Sequence, residues 1–224
     1  MSKYYAVRKG KQTGIFRSWD ECKKATSGYK GAEFKSFLTE EEAEQYMDCV
    51  SFPASTDINK GFHIYTDGSY NAETAKYGSG FIILLNGKKI MYGEKAGDIP
   101  EYAVSRNVAG EIFSVLNALE QAVILKAEEV VIHYDYEGLE KWTDGEWRTN
   151  KELTTMYAEK VNQYRKNGMK IYFVHEKAHT GIEYNELADK IAKRSVGLAT
   201  EQELDDMQKL LKGVKLNGIY RNRQ

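Results

Sequence analysis

The stretch that decides the fold is FHIYTDGSYNAETAKYGSGFIILLNGKKIMY, residues 62–92. Apolar residues alternate over 62–67 and form a continuous run in 80–85, which is typical of two β-strands. The pair Asn86-Gly87 is the strongest short signal for a hairpin, and it joins the second strand to a third over 88–92. The stretch therefore predicts three antiparallel strands in succession.

The chain after this stretch alternates between helical and strand patterns. Apolar residues recur at helical spacing from Val108 to Val123 and predict a long helix. We then expect a strand over 130–134, a helix over 151–166, a strand over 170–174 and a helix over 185–195. Strands that alternate with helices add parallel neighbours to a sheet. The fold class is therefore α/β, with a mixed five-stranded sheet flanked by helices.

Three other segments complete the predicted organisation. Residues 1–48 form a small α/β domain whose two helices begin with capping boxes, and we expect both helices on one side of its strands. Residues 49–60 lack periodicity and are predicted to link this domain to the main one, 61–198. Residues 199–224 are predicted to be a helical appendix.

The composition is that of an ordinary folded protein with a basic beginning. The chain has 224 residues and a formal net charge of −1, but residues 1–37 carry nine basic and three acidic side chains, a local net charge of +6. Two cysteines cannot build a disulfide framework, and the start has no apolar core of a secretory signal. No apolar run approaches the length that spans a bilayer. We expect a cytoplasmic, monomeric protein with no membrane attachment.

Four acidic residues occupy positions where such a sheet would gather them. We place Asp67 at the end of the first strand and Asp135 directly after the strand 130–134, so the two meet if these strands are neighbours. We expect Glu111 in the first turn of its helix and Asp189 in the late helix. Taken singly, each acid is better explained as a turn former, a helix N-terminal residue or part of a solvated face.

A cluster of these carboxylates would need a cation, because like charges repel and raise each other's pKa. Mg²⁺ prefers hard oxygen ligands. Two such ions about 3.5–4 Å apart can activate a water and stabilise the leaving oxygen in phosphodiester cleavage. No Ser/His/Asp or Cys/His arrangement offers a competing chemistry. The acids therefore predict a site for two divalent ions, Mg²⁺ or Mn²⁺.

Five ordered motifs resemble those of type 1 ribonucleases H. They are TDGS (66–69), RNVAGE (106–111), YDY (134–136), KAHTG (177–181) and NELAD (185–189). The resemblance covers nearly all of residues 62–195. It implies that the catalytic metal ligands are Asp67, Glu111, Asp135 and Asp189.

The same resemblance implies roles for residues around the acids. His179 corresponds to a loop histidine that assists proton transfer or product release. Asn107, Ser69 and Asn71 correspond to substrate contacts, although Asn71 is shifted relative to the turn that the family uses. Asn185 stands where some members have a fifth acid, so it is left out of the metal site.

A second resemblance covers residues 3–48. The segments YAVRKG (5–10), TGIF (13–16) and FKSF (34–37) are similar to the hybrid-binding domain that begins many ribonucleases H and also occurs in a caulimovirus protein. It implies that the backbone of a double strand contacts Tyr5, Trp19 and Lys35. On composition alone, a solvated basic face over core aromatics explains the same residues.

Together the two resemblances imply a metal-dependent endonuclease. It would hydrolyse the RNA strand of RNA–DNA hybrids and leave 5′-phosphate and 3′-hydroxyl ends, with double-stranded RNA as an alternative ligand. Two other functions fit part of the pattern: a hybrid or double-stranded RNA binder without catalysis, and a related nuclease of the same superfamily. The complete acid set argues against the first, and the N-terminal domain argues against the second.

Overall fold

The structure, a computed structural model, describes residues 3–48, 57–176 and 183–216. The chain divides into two compact units, Met1–Ser51 and Phe52–Gln224. Each unit has its own sheet and its own hydrophobic core. No helix within the described ranges is both long enough and apolar enough to cross a membrane.

The first unit contains a three-stranded antiparallel sheet in the order β2-β1-β3. Its elements are, in chain order, β1 (Tyr4–Lys9), β2 (Gly14–Phe16), α1 (Trp19–Thr26), β3 (Glu33–Phe37) and α2 (Glu40–Asp48). The hydroxyl of Ser18 accepts a hydrogen bond from the backbone N–H of Glu21, and that of Thr39 accepts one from the N–H of Glu42. Both predicted N-caps are therefore confirmed.

The two helices of this unit lie on opposite faces of the sheet. Ala6 of β1 packs with Ala43 of α2, whereas the next residue, Val7, packs with Cys22 and Ala25 of α1. Successive residues of a strand point to opposite faces, so β1 supports one helix on each side. The prediction that both helices lie on one side was wrong because β1 is buried on both faces.

The second unit contains a six-stranded mixed sheet in the order β8-β7-β4-β5-β6-β9. Strands β4, β5 and β6 pair antiparallel, β7 and β8 continue the sheet parallel to β4, and β9 is parallel to β6. The strands are β4 (Phe62–Asn71), β5 (Lys76–Leu85), β6 (Lys88–Gly97), β7 (Glu129–Tyr134), β8 (Lys170–His175) and β9 (Lys215–Leu216). The helices are α3 (Pro100–Ala103), α4 (Asn107–Ile124), α5 (Gly138–Thr143), α6 (Glu152–Lys166), α7 (Glu183–Ser195) and α8 (Glu201–Leu210).

Helices cover both faces of this sheet, as predicted. On one face, α4 and α6 pack against the strands in a core that includes Ile64, Ile112 and Ile132. On the other face, α7 and α8 form a second core that includes Leu187 and Met207. The central strands are therefore buried on both sides.

Two features differ from the sequence expectations. The sheet has a sixth strand, β9, inside the segment predicted to be a helical appendix. The strands β4 to β6 are also longer than predicted, so Asp67 lies inside β4, which continues to Asn71, and does not end it. The longer strands place this acid within the rigid sheet.

Candidate active site

Three of the four predicted acids meet at one point of the sheet. The parallel strands β4 and β7 place Tyr65 opposite His133, and Asp67 and Asp135 follow two residues later on each chain segment. Helix α4 crosses β4 and β5 and brings Glu111 to the same point. One carboxylate oxygen from each of Asp67, Glu111 and Asp135 lies within 4.8 Å of the other two.

Close packing of two backbones carries Glu111 to Asp67. A Cβ atom on Gly110 would lie 2.1 Å from the carbonyl oxygen of Gly78 and 2.8 Å from Cα of Gly68, so only glycine fits where α4 meets the strands. The backbone N–H of Gly68 donates to Asp67 Oδ1 at 2.6 Å and to Glu111 Oε1 at 3.0 Å. One N–H group thus holds two carboxylates side by side.

The position of Glu111 on its helix also differs from the prediction. Helix α4 begins at Asn107, so Glu111 lies in the second turn and not in the first. Its backbone N–H would lie 2.3 Å from a Cβ atom on Gly68. The acid is therefore placed by contact with β4 and not by the exposed helix N-terminus.

The electrostatics of the cluster favour a bound cation. Asp67 and Glu111 are only 8% and 5% exposed. Burial, followed by the charge of Asp135, raises the pKa of Asp67 to about 7, and burial with the charge of Asp67 raises the pKa of Glu111 well above its usual value. Glu111 Oε2 is buried and has no hydrogen-bond donor among the described residues. A divalent cation fits this group because it would neutralise the repulsion and give that oxygen a partner.

The fourth predicted acid, Asp189, stands next to this cluster and outside it. It lies in α7, on the other face of the sheet from α4, and its carboxylate pairs with the ammonium group of Lys193 at 2.7 Å. Its charge adds to the causes that raise the pKa of Asp67. The structure therefore brings three of the predicted ligands together and places the fourth beside them with a lysine as counter-ion.

Aromatic residues of the first unit form a separate, exposed cluster. The ring centroids of Tyr5 and Trp19 lie 5.7 Å apart, and those of Trp19 and Phe34 lie 5.9 Å apart. Trp19 is 47% and Phe34 41% exposed. The ammonium group of Lys35 lies 5.6 Å from the ring of Phe37, and alternation along β3 puts Lys35 on the opposite face from Phe34. Phe34 was not predicted as a site residue, and its only signal was its place in the FKSF segment beside Lys35.

Two family models match the chain. The model described as the Ribonuclease H1 N-terminal domain matches residues 3–47, and the model described as RNase H matches residues 59–196. The chain belongs to the ribonuclease H family. The predicted family, the α/β fold class and the assignment as a ribonuclease H enzyme are therefore confirmed.

Individual relatives resemble this ribonuclease H along most of its length. Ribonuclease H1 of Homo sapiens is 23% identical over 258 residues, covering 85% of this chain and 88% of the relative. Ribonuclease H1 of Mus musculus is 24% identical over 254 residues with the same two coverages. Among solved structures, RNase H1 from Halobacterium salinarum has a TM-score of 0.53 at 20% identity and covers 62% of this chain and 98% of its own. LC11-RNase H1 in complex with RNA/DNA hybrid has a TM-score of 0.50 at 17% identity, with coverages of 60% and 99%.

The predicted substrate residues of this ribonuclease H differ in their exposure to solvent. Asn107 is exposed as the first residue of α4, one turn before Glu111. Ser69 is 7% exposed within β4. His179 lies outside the described residues. Of the two described residues, Asn107 has the more open position near the carboxylates.

Asn71 has a structural role that the sequence analysis did not expect. Its side-chain N–H group donates to the carbonyl oxygen of Val196 at 2.9 Å. Its side-chain oxygen accepts from the backbone N–H groups of Glu73 and Thr74. The amide thus fixes the turn between β4 and β5 and ties it to the end of α7. Both ends of the Asn71 amide, predicted to contact the substrate, are thus engaged within the fold.

An open cleft of about 380 Å³, which was not predicted from the sequence, lies between the start of α4 and the segment around α5 and α6. Its polar and aromatic lining includes Ser105, Tyr136, Trp142, Arg148, Asn150 and Lys151. Tyr136 directly follows Asp135 in the chain, although none of the three carboxylates lines the cleft. The basic residues Arg148 and Lys151 come from a segment about 40 residues after Ser105 in the sequence. No motif spacing connects that segment with Ser105.

Proposed function

We propose that the chain hydrolyses the RNA strand of RNA–DNA hybrids at internal positions, with divalent cations bound by Asp67, Glu111 and Asp135 and completed by Asp189. The observation that carries this proposal is the group of three carboxylates within 4.8 Å, in a chain of the ribonuclease H family. Membership of that family implies this class of substrate, and LC11-RNase H1 has been solved with an RNA/DNA hybrid. We further propose that the products end in 5′-phosphate and 3′-hydroxyl groups.

The donor set suits Mg²⁺ or Mn²⁺, because all of its ligands are hard carboxylate oxygens. When bound, two such ions would stabilise negative charge on the attacking and leaving oxygens of the phosphodiester. The protein's own contribution is to fix the ligands in advance. The Gly68 N–H group orients Asp67 and Glu111, and the glycine contact of α4 with the sheet leaves them little room to move.

The substrate would lie over the exposed side of the cluster. We assign Asn107, at the open end of α4, to a hydrogen bond with the hybrid near the cut, and Ser69 to a second contact. Arg148 and Lys151 of the cleft offer positive charge to backbone phosphates, which position a nucleic acid without reading its sequence. We assign His179 to proton transfer or product release.

We assign the first unit to binding of the hybrid, with double-stranded RNA as its alternative ligand. Residues 1–37 carry a net charge of +6, and the exposed Trp19 and Phe34 adjoin Tyr5. A basic segment that also exposes aromatic rings suits backbone-tracking recognition. A solvated basic face would leave its aromatics in the core, and these two rings are not buried. Lys35, on the face of β3 opposite Phe34, is a separate proposed phosphate contact. We also predict that the protein is cytoplasmic and monomeric.

The experiment that tests this function uses four labelled duplexes of one sequence: RNA–DNA with either strand labelled, RNA–RNA and DNA–DNA. Each is incubated with the full chain in Mg²⁺ and in excess chelator. We expect internal cuts only in the RNA strand of the hybrid and only with the metal. Equal cleavage in chelator would exclude the metal mechanism, and equal cleavage of the DNA duplex would exclude the substrate assignment.

A further inference from the structure

Helix α8 lies outside the part of the chain that the RNase H model matches, which ends at residue 196. It is nevertheless firmly attached to the catalytic unit. Met207 is fully buried in the core between α7, α8 and the sheet, and Leu211 packs beside it. This position brings the first turn of α8 next to the end of α7 that follows Asp189.

The first turn of α8 holds one carboxylate in a fixed place. Glu203 Oε2 accepts hydrogen bonds from the backbone N–H of Thr200 at 2.8 Å and from its hydroxyl at 3.0 Å. The Thr200 hydroxyl in turn accepts from the N–H of Glu203. This reciprocal capping box orients Glu203, and its other oxygen, Oε1, remains directed towards Lys193 at 3.5 Å.

Lys193 therefore lies between two carboxylates, and its ammonium group is closer to one than to the other. Its ammonium group is 2.7 Å from Asp189 Oδ2 and 3.5 Å from Glu203 Oε1. A divalent cation that binds Asp189 would meet the positive charge of this ammonium group at close range. Like charges at such distances repel strongly near a protein surface, so a cation bound at Asp189 favours movement of Lys193 away from that carboxylate.

We propose that Glu203 is a positioning residue for the active site: it accepts Lys193 when a divalent cation takes Asp189, so that α8 sets the cation affinity of the carboxylate cluster. This inference rests on the proposed function, since it takes Asp189 as a cation ligand. Without Glu203, Lys193 has no second carboxylate at this position among the described contacts and stays on Asp189. A cation that binds Asp189 in that variant would then lie beside the ammonium group of Lys193, which has no second carboxylate to pair with.

Two substitutions separate the charge of Glu203 from its capping role. Glu203→Gln keeps a side-chain oxygen for the Thr200 N–H, as glutamine serves equally in a capping box, and removes the charge that Lys193 needs. Lys193→Met removes the competing cation itself. We expect Glu203→Gln to weaken cation binding by about threefold to tenfold and Lys193→Met to strengthen it, because each changes one charge near the site. In the double variant the effect of Glu203→Gln should disappear.

The matched control is Asp206→Asn. Lys190 and Asp206 join the same two helices at the same 3.5 Å separation, and neither side chain has a described hydrogen bond or ion pair with Asp189. Loss of this ion pair tests whether any weakened link between α7 and α8 lowers cation affinity. We expect binding by Asp206→Asn to match that of the wild type.

The experiment is calorimetric titration of Mn²⁺ into the full chain without nucleic acid, for the wild type and the four variants, with thermal unfolding in chelator as a check on folding. Weaker binding by Glu203→Gln alone, abolished in the Lys193→Met background, is the expected result. Wild-type affinity in Glu203→Gln, an equal loss in Asp206→Asn, or an undiminished loss in the double variant would overturn the inference and leave the proposed function standing. A wild type that binds no Mn²⁺ would instead defeat the proposed metal site and this inference with it.

Discussion

Asp135 is the least buried of the three clustered carboxylates, so replacing its carboxylate with an amide disturbs the packing least. We expect Asp135→Asn to lose nearly all hybrid cleavage, because the amide keeps the shape and supplies no negative charge for a cation. Hybrid affinity should stay within about threefold of the wild type, since phosphate contacts elsewhere dominate binding. Initial rates on a labelled hybrid and fluorescence anisotropy measure the two quantities. Turnover like that of the wild type would remove Asp135 from the site.

The same variant tests the repulsion in the cluster. With a pKa of about 7, Asp67 holds its proton more tightly in the folded chain than in the unfolded one, where its pKa is about 4. The metal-free protein should therefore lose stability as the pH rises from about 4 to about 7. Asp135→Asn removes part of the cause and should show a smaller loss. Urea unfolding in chelator at pH 5 and pH 8 checks this, and an identical loss in both proteins would argue against it.

His179 belongs to the same scale, although it lies outside the described residues. We expect His179→Ala to lower turnover by about 100-fold or less, which is the usual range for an acid–base assistant. Mn²⁺ affinity should not change, because the imidazole is not proposed as a ligand. Single-turnover rates and metal titration distinguish the two effects. A loss as complete as that of Asp135→Asn, or a weaker metal site, would show that the role is misassigned.

At the scale of elements, the contact of α4 with β4 and β5 decides where Glu111 lies. A methyl group at Gly110 would collide with the Gly78 carbonyl oxygen and with Gly68. Backbone cannot yield as a flexible side chain does, so Gly110→Ala should cost about 1–3 kcal/mol of stability. It should also move Glu111 away from Asp67 and reduce the cleavage rate by more than the loss of folded protein explains. Chemical unfolding and rates measured below the unfolding transition test this, and an unchanged rate would mean that the contact does not place the acid.

The strand and helix pattern of the main unit could be predicted from hydrophobic spacing and the Asn86-Gly87 turn. Two features could not. A two-residue strand such as β9 carries no periodicity to detect. Ala6 and Val7 are both buried, so β1 lacks the alternation that would have shown a helix on each face.

The site itself was predicted from ordered motifs, and the geometry between them was not. The motifs identified Asp67, Glu111 and Asp135, which the sheet brings together. They could not show that Asp189 pairs with Lys193, because that depends on the packing of α7. Contacts between distant segments decide such details, and spacing along one segment does not contain them.

At the scale of the whole molecule, the two units divide the work between cleavage and binding in our proposal. Deleting residues 1–51 removes the entire first unit and most of the basic charge near the start of the chain. We expect a folded remainder whose hybrid affinity falls sharply while cleavage at saturating hybrid persists, because the carboxylates and the cleft remain. Binding should also depend less steeply on salt, since fewer counterions are released. Anisotropy titrations at several salt concentrations measure both.

Single substitutions give a milder form of the same test. Trp19→Ala and Lys35→Ala should each weaken binding without changing the rate at saturating hybrid. Tyr29→Ala is the matched control, because Tyr29 is similarly exposed, at 44%, and makes no described ring contact with the cluster. Unchanged affinity and an unchanged salt dependence in the truncated chain would assign the first unit to another purpose.

The central claim is that Asp67, Glu111 and Asp135 together hold a divalent cation. Anomalous diffraction from crystals of the full chain grown with Mn²⁺ measures this most directly, because it locates the metal without reference to activity. We expect an anomalous peak in direct bonding contact with oxygens of all three carboxylates, and loss of that peak in crystals of Asp135→Asn. A chain that cleaves hybrids in solution but shows no manganese between these carboxylates would contradict the claim.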